Sequence, residues 1–173
     1  MSNRKPFSFR LAVFVAAALV LGGCASGRPR DLVETSAVNI PADAVGGAHG
    51  IFVATTRAHA KYAPAVFDGE RSATLSFAQV DVTVPRAHEV GKLERPRSGT
   101  EVNPAKHFAA TNVALFRSDS EFRKALAADI QRRGGRAVIF IHGYNTSFDK
   151  AVYRVTQIAH DSGYPGTPVL FSW

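Results

Sequence analysis

The chain has little cysteine and no long apolar segment. Among its 173 residues Cys24 is the single cysteine, and there is one tryptophan and one methionine. One cysteine excludes an intramolecular disulfide. Near the N-terminus the uncharged apolar run covers only residues 11–21, whereas a membrane-spanning helix needs about 20 apolar residues. The sequence is therefore neither a disulfide scaffold nor typical of a chain with a spanning helix at its start.

Concentrated charge and ligand clusters are missing as well. The formal net charge is +7, and three basic residues precede Cys24, so removing that segment would leave about +4. The remaining basic residues are scattered without interleaved aromatics, so no nucleic-acid partner is expected. No cluster of residues has metal-ligand spacing and no glycine-rich phosphate loop is present. We therefore expect no metal and no cofactor.

The first 23 residues have the pattern of a secretory signal peptide. A basic start is followed by the apolar run 11–21, which has the length of a signal h-region. The run ends in Leu21-Gly22-Gly23-Cys24, which resembles the bacterial lipobox, where the cysteine is lipidated and becomes the new N-terminus. The alternative is an ordinary signal peptide in which Cys24 is incidental.

The lipobox resemblance carries an expectation about location. Two or more acyl chains anchor a protein stably in a membrane. Ala25 after the cysteine resembles the sorting pattern of outer-membrane lipoproteins. We therefore expect Cys24 to be the lipidation site and the membrane to be a partner through the lipid anchor. The expected location is the bacterial cell envelope, on an outer-membrane lipoprotein facing the periplasm.

The rest of the chain divides into a tether and one domain. Residues 24–48 mix Arg, Pro, Gly, Ser and Asp without periodicity and indicate a flexible tether. Residues 49–173 are enough for a domain with its own core. In its first half, strands are predicted at 50–56, at 72–84 with a bulge at Ala78-Gln79, and at 107–116.

The second half alternates helices and strands. Ser118 and Glu121 form a capping box, which predicts a helix that ends at Gly134-Gly135. Residues 137–141 are apolar without alternation, as in a strand buried on both faces. A helix over residues 148–161, capped by Thr146 or Ser147, and a strand over 168–173 follow. This order is typical of an α/β sheet with crossover helices.

A polar loop follows the apolar strand 137–141. Its residues, His142, Gly143, Tyr144 and Asn145, lie between that strand and the N-terminus of the next helix. Ligands of open α/β sheets bind at the carboxyl ends of the strands, and free N–H groups at a helix N-terminus favour negative charge. The loop is therefore a candidate anion site, although Gly and Asn are also common in plain turns.

Residues 140–148 resemble the loop after the third core strand of α/β-hydrolases, in which a His-Gly motif forms part of the oxyanion hole. Residues 51–57, 77–85 and 169–173 are also similar to a bacterial α/β-hydrolase group of unknown specificity, often lipoproteins. The resemblance covers about residues 50–173 and implies the front part of a doubly wound sheet, incomplete at the C-terminus. It also implies a nucleophilic serine in a Gly-x-Ser-x-Gly elbow, then an acid, then a histidine.

No serine of the chain has glycine both two positions before and two positions after it. The elbow, the acid and the histidine are therefore expected downstream of Trp173, and this chain alone is expected to be inactive. The resemblance gives roles to the loop: Tyr144 could donate its N–H to an oxyanion, Gly143 could shape the turn, and His142 could brace the loop. Asn145 could hold the loop through side-chain hydrogen bonds or point at substrate.

Three interpretations of function follow from the sequence. The first is the N-terminal part of a lipid-anchored serine α/β-hydrolase, whose complete form acts on a small-molecule or lipid ester or a similar acyl bond. The second is a non-catalytic envelope lipoprotein that binds a protein partner. The third is a truncated gene product that never folds stably.

Overall fold

The domain is built on one mixed sheet of five strands. The computed structural model describes residues 32, 40–61, 66–96 and 101–173, so the predicted signal peptide and Cys24 lie outside the described residues. The strands are ordered β3-β2-β1-β5-β4 across the sheet. In chain order the elements are β1 (Val45–His59), β2 (Phe67–Pro85), β3 (Ala109–Leu115), α1 (Asp119–Arg132), β4 (Ala137–Ile141), α2 (Phe148–Asp161) and β5 (Thr167–Ser172).

The antiparallel half of the sheet comprises β1, β2 and β3. The three strands lie where the sequence predicts them, but β1 and β2 are longer. β1 already begins at Val45, after a 3-10 turn at Ala42–Ala44, and Leu32 is buried in the core. The folded domain therefore extends into the segment that the sequence assigned to the tether, because an isolated leucine gives no periodic signal.

The predicted bulge at Ala78-Gln79 is wrong. These two residues pair regularly with Val53 and Phe52. The register of β1 with β2 shifts instead near the two ends of β1, and that of β2 with β3 shifts between Asp81 and Val82. The apolar pattern of β2 changes phase for another reason, which is that helices cover both faces of the sheet. Phe77 packs on the α1 side, whereas Ala78 and Val80 belong to the core on the α2 side.

The parallel half of the sheet places β5 between β1 and β4. β4 is therefore an edge strand, and the prediction that it is buried on both faces is wrong. Ile139 and Ile141 are 66% and 62% exposed, while Phe140 packs against the core on the other face. A short apolar run looks the same in an edge strand and a central strand, because its neighbours are set by distant parts of the chain.

Both helices have the predicted bounds, and α1 also has the predicted end signals. In α1 the Ser118 hydroxyl accepts from the backbone N–H of Glu121 at 3.2 Å, and the Glu121 carboxylate accepts from the N–H of Arg117 at 3.0 Å. The helix ends at Gly134 and Gly135, whose φ angles are +77° and +76°. Such left-handed angles are easy for glycine, so the helix ends where the sequence predicts.

The two helices cover opposite faces of the sheet. α1 packs through Phe122 on Phe52 and Val169. α2 packs on the larger core, to which its Phe148, Ala151, Val152, Tyr153 and Val155 contribute. The fold is thus an α/β arrangement, consistent with an α/β-hydrolase sheet. Each helix has 14 residues, and none in the described ranges is long and apolar enough to cross a membrane.

Candidate functional site

The loop of residues 142–147 lies at the carboxyl ends of three parallel strands. It follows β4 directly and leads into α2. β5 ends beside it at Ser172, which pairs in register with Thr55 of β1. This is the edge of an α/β sheet at which ligands bind. The structure thus confirms the placement of the loop between a strand end and a helix N-terminus.

His142 joins the loop to the end of β5. Its side chain is buried, and Nδ1 lies 2.9 Å from the carbonyl oxygen of Gly143. Nε2 lies 3.0 Å from the hydroxyl of Ser172 and 3.2 Å from the backbone N–H of Trp173. A carbonyl only accepts hydrogen bonds and a backbone N–H only donates. These partners therefore assign the ring hydrogen to Nδ1 and the acceptor role to Nε2.

Trp173 stacks on the His142 ring. The two rings stack with centroids 5.6 Å apart and planes 13° apart. The indole N–H also donates to the His142 carbonyl oxygen at 3.2 Å. Both nitrogens of His142 are thus occupied by the loop and by the end of β5, which leaves neither of them for proton exchange with a bound molecule.

The peptide between Gly143 and Tyr144 is turned so that its N–H faces away from His142. The carbonyl of a trans peptide points opposite to the N–H of the same peptide, and the carbonyl of Gly143 points at Nδ1 of His142. A Cβ atom added at Gly143 would meet no heavy atom within 4 Å. No described residue accepts a hydrogen bond from the Tyr144 N–H. This N–H thus faces away from His142 and has no acceptor among the described residues, and the loop is open on the side that a Gly143 side chain would occupy.

The unusual backbone angle of the loop is at Asn145 and not at glycine. Asn145 has φ of +56°, whereas Gly143 is not among the residues with positive φ. Asparagine tolerates this left-handed region better than most residues. Within the described residues the Asn145 side chain makes no hydrogen bond, so the predicted loop-holding hydrogen bond is not found.

Ser147 is the residue at the N-cap of α2, as predicted, but its hydroxyl does not cap the helix. It donates instead to Oδ1 of Asp149 at 2.5 Å. Asp149 is 2% exposed, and its other carboxylate oxygen is paired with Arg95. This ion pair offsets the negative charge that Asp149 would otherwise bring to the first turn of the helix.

Arg57 is the site residue that sequence reasoning missed. In the sequence it is one of many scattered basic residues, yet only 6% of it is exposed. Its guanidinium donates to Ser172 Oγ at 2.8 Å, to Thr146 O at 2.6 Å and to Asp68 O at 3.1 Å. Burial lowers the pKa of Arg57, although the nearby charge of Asp68 opposes the shift. Its position directly after a β-rich run was the one available signal.

A second cluster of titratable residues lies away from the loop. His88 contacts Asp161 at 2.6 Å and Glu94 at 2.7 Å, and His160 contacts His49 at 3.2 Å. These contacts are made at the last turn of α2, about 20 Å along the helix from the loop. The structure therefore keeps this cluster apart from the candidate site.

The described part of the chain contains no group of three or more His, Cys, Asp or Glu side chains arranged to hold a metal ion.

The comparisons with known proteins point to the same part of the chain. Residues 118–173 match the model of a family described as an alpha/beta hydrolase of unknown function (DUF900). The matched segment contains α1, β4, the loop, α2 and β5, and thus the loop residues with Ser172 and Trp173, but not Arg57, Asp68 or Arg95. No curated protein and no solved structure matched the chain.

Proposed function

We propose that this chain supplies the oxyanion-binding loop of a serine hydrolase that cleaves an ester or similar acyl bond, because residues 118–173 match the model of an α/β-hydrolase family. One observation carries the proposal. The N–H of Tyr144 has no acceptor among the described residues at the carboxyl edge of the parallel strands, and the carbonyl of the same peptide, that of Gly143, contacts His142.

The loop would act on the tetrahedral intermediate of acyl transfer. When a serine oxygen attacks the carbonyl carbon, the carbonyl electron pair moves onto its oxygen, and a positioned N–H stabilises that charge. Loss of one such donor in a serine hydrolase costs about 100–1000-fold in kcat. The N-terminus of α2 adds a favourable dipole. His142 would brace the loop and would not transfer protons, because both ring nitrogens are occupied.

We assign no nucleophile, acid or triad histidine within the 173 residues. No serine of the chain has the elbow sequence, and His160 and Asp161 lie at the far end of α2. The proposal therefore places the three catalytic groups outside these residues. It follows that the 173-residue chain alone would not turn over an aryl ester.

The proposal includes a membrane anchor. Lipidation at Cys24 would hold the hydrolase in the envelope, at the periplasmic face of an outer membrane. A small-molecule or lipid ester would be the substrate of the complete enzyme. Support comes from the lipobox-like sequence Leu21-Gly22-Gly23-Cys24 alone.

The test uses a fluorophosphonate probe, which reacts covalently with activated serines. Native protein would be isolated from its own cells with antibodies against residues 101–173, labelled, and analysed by intact mass and peptide mapping. A labelled serine outside residues 1–173, with no label on the 173-residue chain expressed alone, is the expected result. An unlabelled native protein whose mass ends at Trp173 would contradict the hydrolase proposal.

One observation favours a second candidate, which is a non-catalytic lipoprotein that binds a protein partner. The edge strand β4 exposes Ile139 and Ile141, and Tyr144 beside it is 88% exposed. An apolar strand edge is a surface to which another chain can pair. The same experiment separates the two, because a binding protein would carry no activated serine.

A further inference from the structure

We infer that Arg57 is a positioning residue of the oxyanion loop, acting through Ser172 and His142 on the direction of the Tyr144 N–H. The role that this gives Arg57 in catalysis rests on the proposed function. The hydrogen bonds from Arg57 through Ser172 to His142, here called the relay, can be measured in a chain that has no enzymatic activity. Arg57 lies at the end of β1, outside the segment that matches the hydrolase family.

The first step is the fixation of Arg57. Three side-chain N–H groups bind three different segments: the start of β2 at Asp68, the loop at Thr146, and the end of β5 at Ser172. The backbone N–H of Arg57 also donates to Thr55 Oγ1 at 3.0 Å. A planar guanidinium can hold several acceptors at fixed angles, which a lysine ammonium cannot do. The loop is thereby held at a defined distance from the strand ends.

The second step is the direction of the hydrogen bonds. Because Nε of Arg57 donates to Ser172 Oγ, the hydroxyl accepts on that side and can give its single hydrogen to Nε2 of His142. That donation, together with the N–H of Trp173, keeps Nε2 unprotonated. The ring hydrogen then stays on Nδ1 and holds the carbonyl of Gly143. The relay therefore ends with the Tyr144 N–H turned away from His142.

The third step concerns charge. The hydrogen-bond acceptors of the Arg57 side chain are two backbone carbonyls and one hydroxyl, all neutral. Arg95 already compensates the buried carboxylate nearest the loop, Asp149. No carboxylate hydrogen-bonds the Arg57 guanidinium, although the charges of Asp68 and Asp149 act on it from nearby. Burying an arginine costs free energy, so an apolar residue would be more favourable here if packing were the only requirement.

The experiment reads the His142 tautomer and the Tyr144 amide by NMR in the full 173-residue chain. Samples carry ¹⁵N-labelled histidine or uniform ¹⁵N, and His142→Gln identifies the His142 signals among the six histidines. Ser172→Ala removes the hydroxyl that joins Arg57 to His142 but keeps the Arg57 charge. Arg57→Lys keeps the charge but removes the planar guanidinium, which holds several acceptors at once. The matched control is Arg123→Lys, an exposed arginine of α1 whose guanidinium pairs with Asp119 on the same helix.

In the parent chain we expect the Nδ1–H tautomer alone. Ser172→Ala and Arg57→Lys should each shift the Tyr144 amide, because the His142 ring loses a contact that fixes its position. The Trp173 N–H should still favour the Nδ1–H tautomer, and the control should keep the parent pattern. Amides of α1 serve to show that each variant is folded. If Arg57→Lys fails to fold, Ser172→Ala decides the question alone.

A folded Ser172→Ala protein with an unmoved Tyr144 amide would overturn the inference. A purely structural arginine would also give that result, with lower thermal stability of Arg57→Lys as its only effect. Failure of the hydrolase proposal looks different. In that case the relay would behave as expected, but the fluorophosphonate probe would label no serine of the native protein.

Discussion

Nε of Arg57 lies 2.8 Å from Oγ of Ser172, although 115 positions separate the two residues in the chain. Next to this contact, Oγ1 of Thr55 donates to the backbone carbonyl of Ser172, also at 2.8 Å. The ends of β1 and β5 are thus joined by side chains as well as by the parallel ladder. Because β5 also holds His142, a change at the end of β1 is transmitted to the loop.

The left-handed backbone at Asn145 predicts opposite effects for two substitutions. Asn145→Val should lower the free energy of unfolding by about 1–2 kcal/mol, because a β-branched residue is strained at positive φ. Asn145→Gly should leave stability near that of the parent chain. Thermal unfolding followed by circular dichroism measures both. A valine variant as stable as the glycine variant would mean that residue 145 does not adopt this angle in solution.

His88 contacts two carboxylates, one of them at the end of α2, and this predicts that its contribution to stability depends on pH. Burial by itself would lower the pKa of His88, but its hydrogen bonds to Asp161 and Glu94 outweigh burial and raise the pKa above 6.5. The pKa values of the two carboxyl groups are lowered, since hydrogen bonds, including those from His88, outweigh their burial. The rings of Phe108 and His160 lie against His88.

A histidine whose pKa is raised on folding stabilises the protein fully below its unfolded pKa, and the stabilisation is lost as pH rises through the folded pKa. His88→Gln should therefore cost about 1–3 kcal/mol near pH 6 and progressively less toward pH 9. Urea unfolding of both proteins across this range gives the difference. His107→Gln, which removes a histidine with no carboxylate partner in the described residues, is the control. A cost independent of pH would show that His88 is not protonated in the folded domain.

The exposed isoleucines of β4 predict self-association of the isolated chain. Ile141→Lys should reduce it without loss of stability, because Ile141 is 62% exposed and a charge on an edge strand opposes pairing with another strand. Ile158→Lys, on α2 and 41% exposed, is the matched control and should leave association unchanged. Light scattering coupled to size exclusion measures the mass. Equal effects of both lysines would indicate a general charge effect and not an edge contact.

The lipobox-like sequence predicts a requirement for Cys24. In cells that make the protein, Cys24→Ser should abolish incorporation of labelled palmitate and move the protein out of the detergent phase, because the thiol is the acylation site. Ser26→Ala is a control two residues away. Full labelling of the Cys24→Ser protein would contradict lipid attachment at this residue.

The parts of the fold that the sequence predicted depend on local signals. Ser118 and Glu121 are three residues apart, and the Ser118 hydroxyl makes the capping contact that this spacing implies, whereas the Glu121 carboxylate accepts from Arg117, one residue before the N-cap. Gly134 and Gly135 take the positive φ angles that end a helix. Each of these signals acts within one turn of the chain, so a linear pattern is sufficient to read it.

The errors concern contacts between distant segments. β4 is at the sheet edge because β5, about 30 residues later, lies between it and β1, and nothing inside residues 137–141 encodes that order. Arg57 was missed for the same reason, since its side-chain partners are 11, 89 and 115 residues away. The loop was located because its strand and helix are neighbours in sequence, but the residue that holds it was not.

The indole of Trp173 contacts two groups, the guanidinium of Arg71 and the ring of His142. It is also the single tryptophan of the chain. Its fluorescence emission therefore comes from the candidate site alone, against a background of tyrosine only. Any event that moves His142, from a bound anion to an unfolding strand end, should change the emission intensity. The protein thus contains its own optical reporter of this loop and needs no added dye.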